Sequence, residues 1–203
     1  SIKEQQKNWI GKSSGLNINF KSHNDLTISI FTTRAETIFG VTFLVLSPEH
    51  DLIQNLCSKA QKEKIKKYQL LCSQKSELDR LSNTNSISGE FTGSYAIHPF
   101  NGNKIPIWIS DYVLSNYGSG AIMAVPAHDA RDFKFAKKFD IKICQVIQNH
   151  NTVESEPYLE KNGKMINSSF LDNLIPLQAS EKVINLVIQK KLGFVSINYR
   201  LRD

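Results

Sequence analysis

The chain contains no run of about 18 apolar residues, so no membrane-spanning helix is expected. Its opening stretch, SIKEQQKNWIGKSSG, lacks the apolar centre of a secretory signal. It also lacks an initiator Met, as a piece excised from a longer chain would. Cysteine is scarce: Cys57, Cys72 and Cys144 are scattered, odd in number and form no C-x-x-C pair. That argues against a disulfide framework or a cysteine-held zinc, and for a reducing compartment. His23, His50, His98, His128 and His150 show no metal-ligand spacing, so no metal is expected. There is no G-x-x-x-x-G-K-[ST] phosphate loop, no internal repeat and no low-complexity linker.

What is present fits one globular unit. The 203 residues suffice for one sizeable core and are short for two. Hydrophobic residues make up 40% and charged residues 22%, the balance of an ordinary soluble domain. The net charge of +6 is compatible with an anionic partner such as RNA. Part of it is local: KAQKEKIKK (59–67) holds five Lys against one Glu. A solvated helix face explains that run as well as a binding role does.

The elements are mixed. DLTISIF (25–31) alternates, with Leu26, Ile28 and Ile30 on one face, and reads as a strand. GVTFLVLS (40–47) reads as a strand buried on both faces. SPEHDLIQNL (47–56) predicts a helix capped by Ser47 with Pro48 in its first turn, and a second helix covers 59–72. YAIHPFNGNKIPIWISDYV (95–113) predicts a hairpin turning at Asn101-Gly102, and YLEKNGKMI (158–166) another at Asn162-Gly163. EKVINLVIQKKLG (181–193) puts Val183, Ile184, Val187, Ile188 and Leu192 on one helical face, with Gly193 as its C-terminal cap. The expected class is α+β, with a β-barrel-like core and helices around it.

Two stretches carry more polar chemistry than packing needs. In FTTRAETIFG (31–40), Thr33 and Glu36 fit a capping box for a short helical turn stopped by Gly40. That leaves Thr32, Arg34 and Thr37 without a reason. In YGSGAIMAVPAHDARDFKFAKKFD (117–140), Gly118 and Gly120 allow a close backbone approach or a tight strand. AIMAV reads as a buried strand ended by Pro126. Asp129 and Asp132 can cap a helix running to about Phe139, with Phe135, Ala136 and Phe139 inward, a placement that favours carboxylates.

Together these stretches strongly resemble the editing domain of leucyl-tRNA synthetases of the bacterial or organellar type. The resemblance rests on TTRAETIFGVTFLVLSPEH (32–50) and YGSGAIMAVPAHDARDFKFAKKF (117–139). KNWIGKS (7–13) and NYRLRD (198–203) resemble the junctions of that domain with the synthetase body. The implied organisation is a single editing domain over 1–203, with 1–13 and 196–203 as junction segments. Isoleucyl and valyl editing domains share the scaffold, but GVTFLVLSPEH and MAVPAHDARDF favour the leucyl member. One departure stands out: the family's common Thr-Thr-Arg-Pro-Asp-Thr is Thr-Thr-Arg-Ala-Glu-Thr here. Ala35 loosens a turn that Pro would preset.

The resemblance implies hydrolysis of the ester on the 3′ end of mischarged tRNA(Leu), with norvaline, isoleucine or methionine as cargo and Leu-tRNA(Leu) spared. Asp132 matches the residue that holds the substrate's α-ammonium. Thr32 and Thr33 match those that contact the terminal ribose and the attacking water. Thr37 matches a steric gate against the leucine δ-methyl, with Met123 and Val125 near the side-chain pocket. Leu114 and Tyr117 match positions packing near the terminal adenine. Arg34, His128, Asp129 and Arg131 complete the matched shell; His128 is placed there as an anchor for the Asp segment or as a general base. No cofactor is implied, since water is the nucleophile; ATP and Mg belong to the synthetic domain. The implied partners are the tRNA 3′ end and the rest of the synthetase, in a monomer located in the cytoplasm or an organellar matrix. Two alternatives stay open: a non-catalytic RNA-binding module using the 59–67 lysines, and the same chemistry on an isoleucyl or valyl cargo.

Overall fold

The computed structural model describes residues 10–83, 85–149, 153 and 155–201. His150 and the ends of the expected junctions, 1–9 and 202–203, lie outside the described residues. The strands are β1 (Ile10–Ser22), β2 (Thr27–Thr32), β3 (Phe43–Leu46), β4 (Glu90–Ile97), β5 (Lys104–Ile109), β6 (Ala121–Ala124), β7 (Ile147–Gln148), β8 (Lys164–Met165) and β9 (Gly193–Leu201). The helices are α1 (Ile53–Leu56), α2 (Lys62–Ser73), α3 (Glu77–Ser82), α4 (Ala130–Lys138) and α5 (Pro176–Gln189), with 3-10 segments at Ala35–Gly40 and Ser169–Leu171.

Seven strands form one sheet in the order β2-β1-β4-β5-β3-β6, with β9 also on β1. All pairings are antiparallel except β3 with β5. The fold is α+β as expected, but the sheet is open rather than a closed barrel. No ladder joins β2 to β6 among the described residues, although the two strands are in contact; just before β6, Ser119 Oγ donates to the Ser29 carbonyl of β2 at 2.5 Å.

The core follows the hydrophobic patterns. Leu16, Ile18 and Phe20 of β1, Ile28 and Ile30 of β2, and Ile105, Ile107 and Ile109 of β5 alternate inward. All four residues of β3 are buried, as its unbroken apolar run predicts. Each such side chain contributes about 1.5–3 kcal/mol on burial. Phe135 of α4 stacks on Phe43 of β3 at 5.2 Å, which seats that helix on the sheet.

Four local expectations are corrected. Residues 48–52 form turns, α1 begins only at Ile53, and the buried Ser47 hydroxyl has no partner among the described residues. The strand after Asn162-Gly163 pairs with β7, not with residues 158–160. Gly163 is needed there because a Cβ would lie 2.4 Å from the Gln148 carbonyl oxygen. Helix α5 starts earlier than expected, at Pro176. It ends with Lys191 in the left-handed region (φ 55°), while Gly193 opens β9 instead of capping the helix. Of the face expected to turn inward, Val183 and Val187 are buried and Ile188 is exposed.

The fold positions two junctions side by side. The register Phe43↔Ala124 sets the residues that precede β3 against those that follow β6. Thr42 N–H bonds the Ala124 carbonyl at 3.2 Å across this seam. The two polar stretches therefore meet.

Candidate active site

Where the junctions meet, they enclose a cavity of about 200 Å3. Thr32, Thr33, Arg34 and Thr37 line it from one side; Met123, Val125, His128, Asp129, Arg131 and Asp132 line it from the other, with Tyr117 at the edge. Of the residues matched from sequence, Leu114 alone is not in the lining; it is buried nearby, before Tyr117.

The Thr-rich turn is built differently from a capping box. Arg34 takes the N-cap position with no side-chain cap bond. Thr33 is exposed, and Glu36 faces Arg34 instead of the backbone. Thr32 Oγ1 accepts the Arg34 N–H at 3.0 Å, so the neighbouring threonine stabilises the turn. Arg34 Nε donates to Glu36 at 3.0 Å, and Nη1 to the His128 carbonyl at 3.2 Å. Nη2 is buried without a partner among the described residues. The Thr37 hydroxyl donates to the Arg34 carbonyl at 2.8 Å, which fixes the rotamer of a side chain only 2% exposed. Ala35 and Glu36 thus leave a well-bonded turn, with the carboxylate of Glu36 holding Arg34.

On the other side, Asp129 caps α4. Its Oδ1 accepts the N–H groups of Arg131 (2.8 Å) and Asp132 (3.0 Å). Asp132 is not a cap. It turns back to β6, where Oδ2 accepts the Val125 N–H at 2.9 Å and Oδ1 the Tyr112 hydroxyl at 2.8 Å. Burial, and then the Asp129 charge, push its pKa up to about 7, against the pull of those two donors and Arg131.

His128 has both ring nitrogens engaged. One bonds the Tyr158 carbonyl at 2.9 Å; the other accepts from the N–H groups of Val146 (3.0 Å) and Ile147 (3.1 Å). Burial lowers its pKa to about 4, so the ring is neutral near pH 7, yet no lone pair is free for a substrate proton. The geometry fits an anchor between three segments. None of the cysteines lines the cavity, and burial pushes their thiols up. Among the described residues no three His, Cys, Asp or Glu side chains cluster as a metal site, and no helix is long and apolar enough to cross a membrane.

A family model described as the editing domain of leucyl-tRNA synthetase matches residues 7–188. The chain belongs to the leucyl-tRNA synthetase editing-domain family. Among solved structures, it is similar to the Agrobacterium radiobacter K84 AgnB2 leucyl-tRNA synthetase, crystallised as a ternary complex with tRNA and LeuAMS. The identity is 30% and the TM-score 0.74, over 99% of this chain and 22% of the synthetase chain.

The sequence reading of this family member missed three residues. Phe31 and Ile122 add apolar lining, and Tyr112 bonds Asp132. Phe31 carried a signal: it is apolar but out of phase with Leu26, Ile28 and Ile30. Gly118 also answers to Phe31. A Cβ there would lie 2.7 Å from the Phe31 Cβ, and its φ is +60°. The close approach that glycine permits is to this ring, which then packs edge-on against Tyr117 at 5.7 Å.

Proposed function

We propose that this chain is the post-transfer editing module of a leucyl-tRNA synthetase, and that it hydrolyses the aminoacyl ester of mischarged tRNA(Leu). The carrying observation is a single cavity holding one buried, oriented carboxylate, Asp132, opposite a rotamer-locked threonine, Thr37. Its volume is below the roughly 300–1,000 Å3 of pockets for drug-sized ligands. That suits one amino-acid residue on the end of a polymer that continues outside.

The need for such a site is energetic. A synthetic pocket separates side chains differing by a methylene by only about 1–3 kcal/mol, a limit long recognised for synthetases. A second, hydrolytic sieve multiplies the discrimination. Leucine and isoleucine are isomers, so the sieve reads branching rather than size. Thr37 would do this by bulk, rejecting a leucine δ-methyl while norvaline, isoleucine or methionine side chains pass by Met123 and Val125.

Asp132 would pair with the α-ammonium, which also favours its ionised form. This fixes the ester for attack. Water is the nucleophile, held by Thr32 and Thr33 with the terminal ribose, and no cofactor is required. Donors near the carbonyl gain strength as it becomes an oxyanion; Arg34 Nη2, without a partner among the described residues, is available to orient the substrate's acceptor oxygens. Tyr117 would stack near the terminal adenine. The partners are the tRNA 3′ end and the rest of a synthetase chain, acting as a monomer in the cytoplasm or an organellar matrix, with residues 1–13 and 196–203 as junctions.

The test compares hydrolysis of Ile-tRNA(Leu) and Leu-tRNA(Leu) by this chain, by the full synthetase and by their Asp132→Ala variants. Selective loss of the isoleucyl ester, abolished in folded variants, is expected. A full synthetase that hydrolyses neither ester, or both equally, would refute the reading.

A further inference from the structure

We propose that Tyr112 is a positioning residue for the editing reaction, presenting the Asp132 carboxylate in one orientation to the substrate's ammonium group. The inference rests on the function proposed above and goes beyond it, because Tyr112 belongs to neither polar stretch. It sits just after β5, and its hydroxyl reaches the carboxylate from outside the cavity wall.

The geometry carries the argument. A carboxylate has about four lone-pair directions. Two are taken at Asp132, one on each oxygen, by the Val125 N–H and the Tyr112 hydroxyl. With both oxygens tied, the plane of the group cannot rotate, and the remaining lone pairs are left for the cavity that Asp132 lines. The backbone donor alone would fix one oxygen and leave the other to swing. Tyr112 is itself held: its ring packs edge-on against Phe135 at 5.9 Å, and the Arg131 guanidinium lies 5.6 Å from the ring centre. It also lines a small recess of about 30 Å3 outside the cavity. Burial and the Asp132 charge keep the phenol far above its ordinary pKa, so it stays a donor.

The other groups facing Asp132 do not substitute for this bond. Asp129, on the same helix, repels the charge; Arg131 attracts it; Arg34 and His128 line the same cavity. Removing the hydroxyl leaves the Asp129 repulsion less opposed, so a larger fraction of Asp132 is protonated at a given pH.

The test is Tyr112→Phe in the full synthetase, which keeps the ring. Hydrolysis of Ile-tRNA(Leu) is followed from pH 5.5 to 9, with a thermal melt to verify the fold. The acidic limb of kcat/KM is expected to move up by about one pH unit, with a residual several-fold loss at the alkaline end, where the carboxylate is ionised but held by one donor only. A purely structural contribution would lower activity without moving the acidic limb, and a profile superimposed on that of the unaltered enzyme would show no role; either overturns the inference. A second measurement needs neither the variant nor activity. In the unaltered chain, the Tyr112 hydroxyl proton, followed by NMR, is expected to shift with the titration of Asp132. A resonance that ignores that titration overturns the inference even if the enzyme edits. An inactive enzyme whose hydroxyl proton tracks Asp132 would instead count against the proposed function alone.

Discussion

Replacing Asp132 with Asn removes a charge and keeps the shape. The Asn oxygen can accept the Val125 N–H and its NH2 can donate to the Tyr112 oxygen; the Tyr112 hydroxyl proton then loses its acceptor, as it also does when Asp132 is protonated and donates to it. The consequence is a change in how stability depends on pH. Asp132 has a pKa of about 7 in the folded chain and near 3.8 when exposed. Because the folded value is the higher one, the native state binds the extra proton. The stabilisation is complete below about pH 4 and is lost as pH rises through 7. The gap of about three pH units, at about 1.4 kcal/mol each, is worth about 4 kcal/mol. That is large beside the roughly 5–15 kcal/mol by which domains are stable. Urea unfolding of the parent and Asp132→Asn chains at pH 4 to 9 isolates this group, because every other carboxylate is common to both. The two should match near pH 4, and the variant should be the more stable by several kcal/mol above pH 8, while editing is lost. A difference independent of pH would refute the reasoning, as would a parent chain that gains on the variant at alkaline pH. The expected outcome is a site whose useful charge costs the fold stability, the usual direction of an activity–stability trade-off.

Thr37→Ala should admit Leu-tRNA(Leu) and hydrolyse it while leaving the melting temperature within a few degrees; a variant that still spares the correct ester removes Thr37 as the gate. His128→Asn should abolish one source of acid lability. The folded pKa of about 4 lies below the ordinary 6.5, so the stability it carries is present above pH 6.5 and lost as pH falls through 4. Parent-minus-variant unfolding free energies should therefore shrink between pH 6.5 and 4, and a constant difference would contradict the anchoring geometry.

Much of this was legible in the chain because the patterns were redundant. The alternation of β2, the unbroken apolar run of β3 and Asn101-Gly102 before β5 each carried one physical demand, and each element formed. The site was legible because its residues sit in two short stretches that the sheet register brings together. What failed had local competitors. Thr33 fits a capping box on paper, but Thr32 Oγ1 took the Arg34 N–H and Arg34 took Glu36. Ser47 and Pro48 promise a helix that turns postpone. Gly163 and Gly193 read as turn and cap residues, yet both are needed for close backbone contact with strands far away in sequence. The barrel-like core was an extrapolation from hairpin counting, which does not say whether outer strands meet. Tyr112 was invisible for a similar reason: its partner lies on another element, and a lone tyrosine after a strand announces nothing.

The pairing of β1 with β9 has a mechanical consequence. The ladder runs from Ile10↔Leu201 to Ile18↔Gly193, so the two strands lie side by side as they approach the body of the fold. In an antiparallel ladder the bonds lie across the strands. A force that draws residues 10 and 201 apart therefore loads one rung at a time, as a zip opens, rather than shearing all rungs together. The far rungs, next to the buried Leu16 and Ile18, would feel tension only after the near ones had parted. Strain arriving through this tether would be spent in peeling a ribbon, and the seam between β3 and β6 that carries the cavity would stay unloaded.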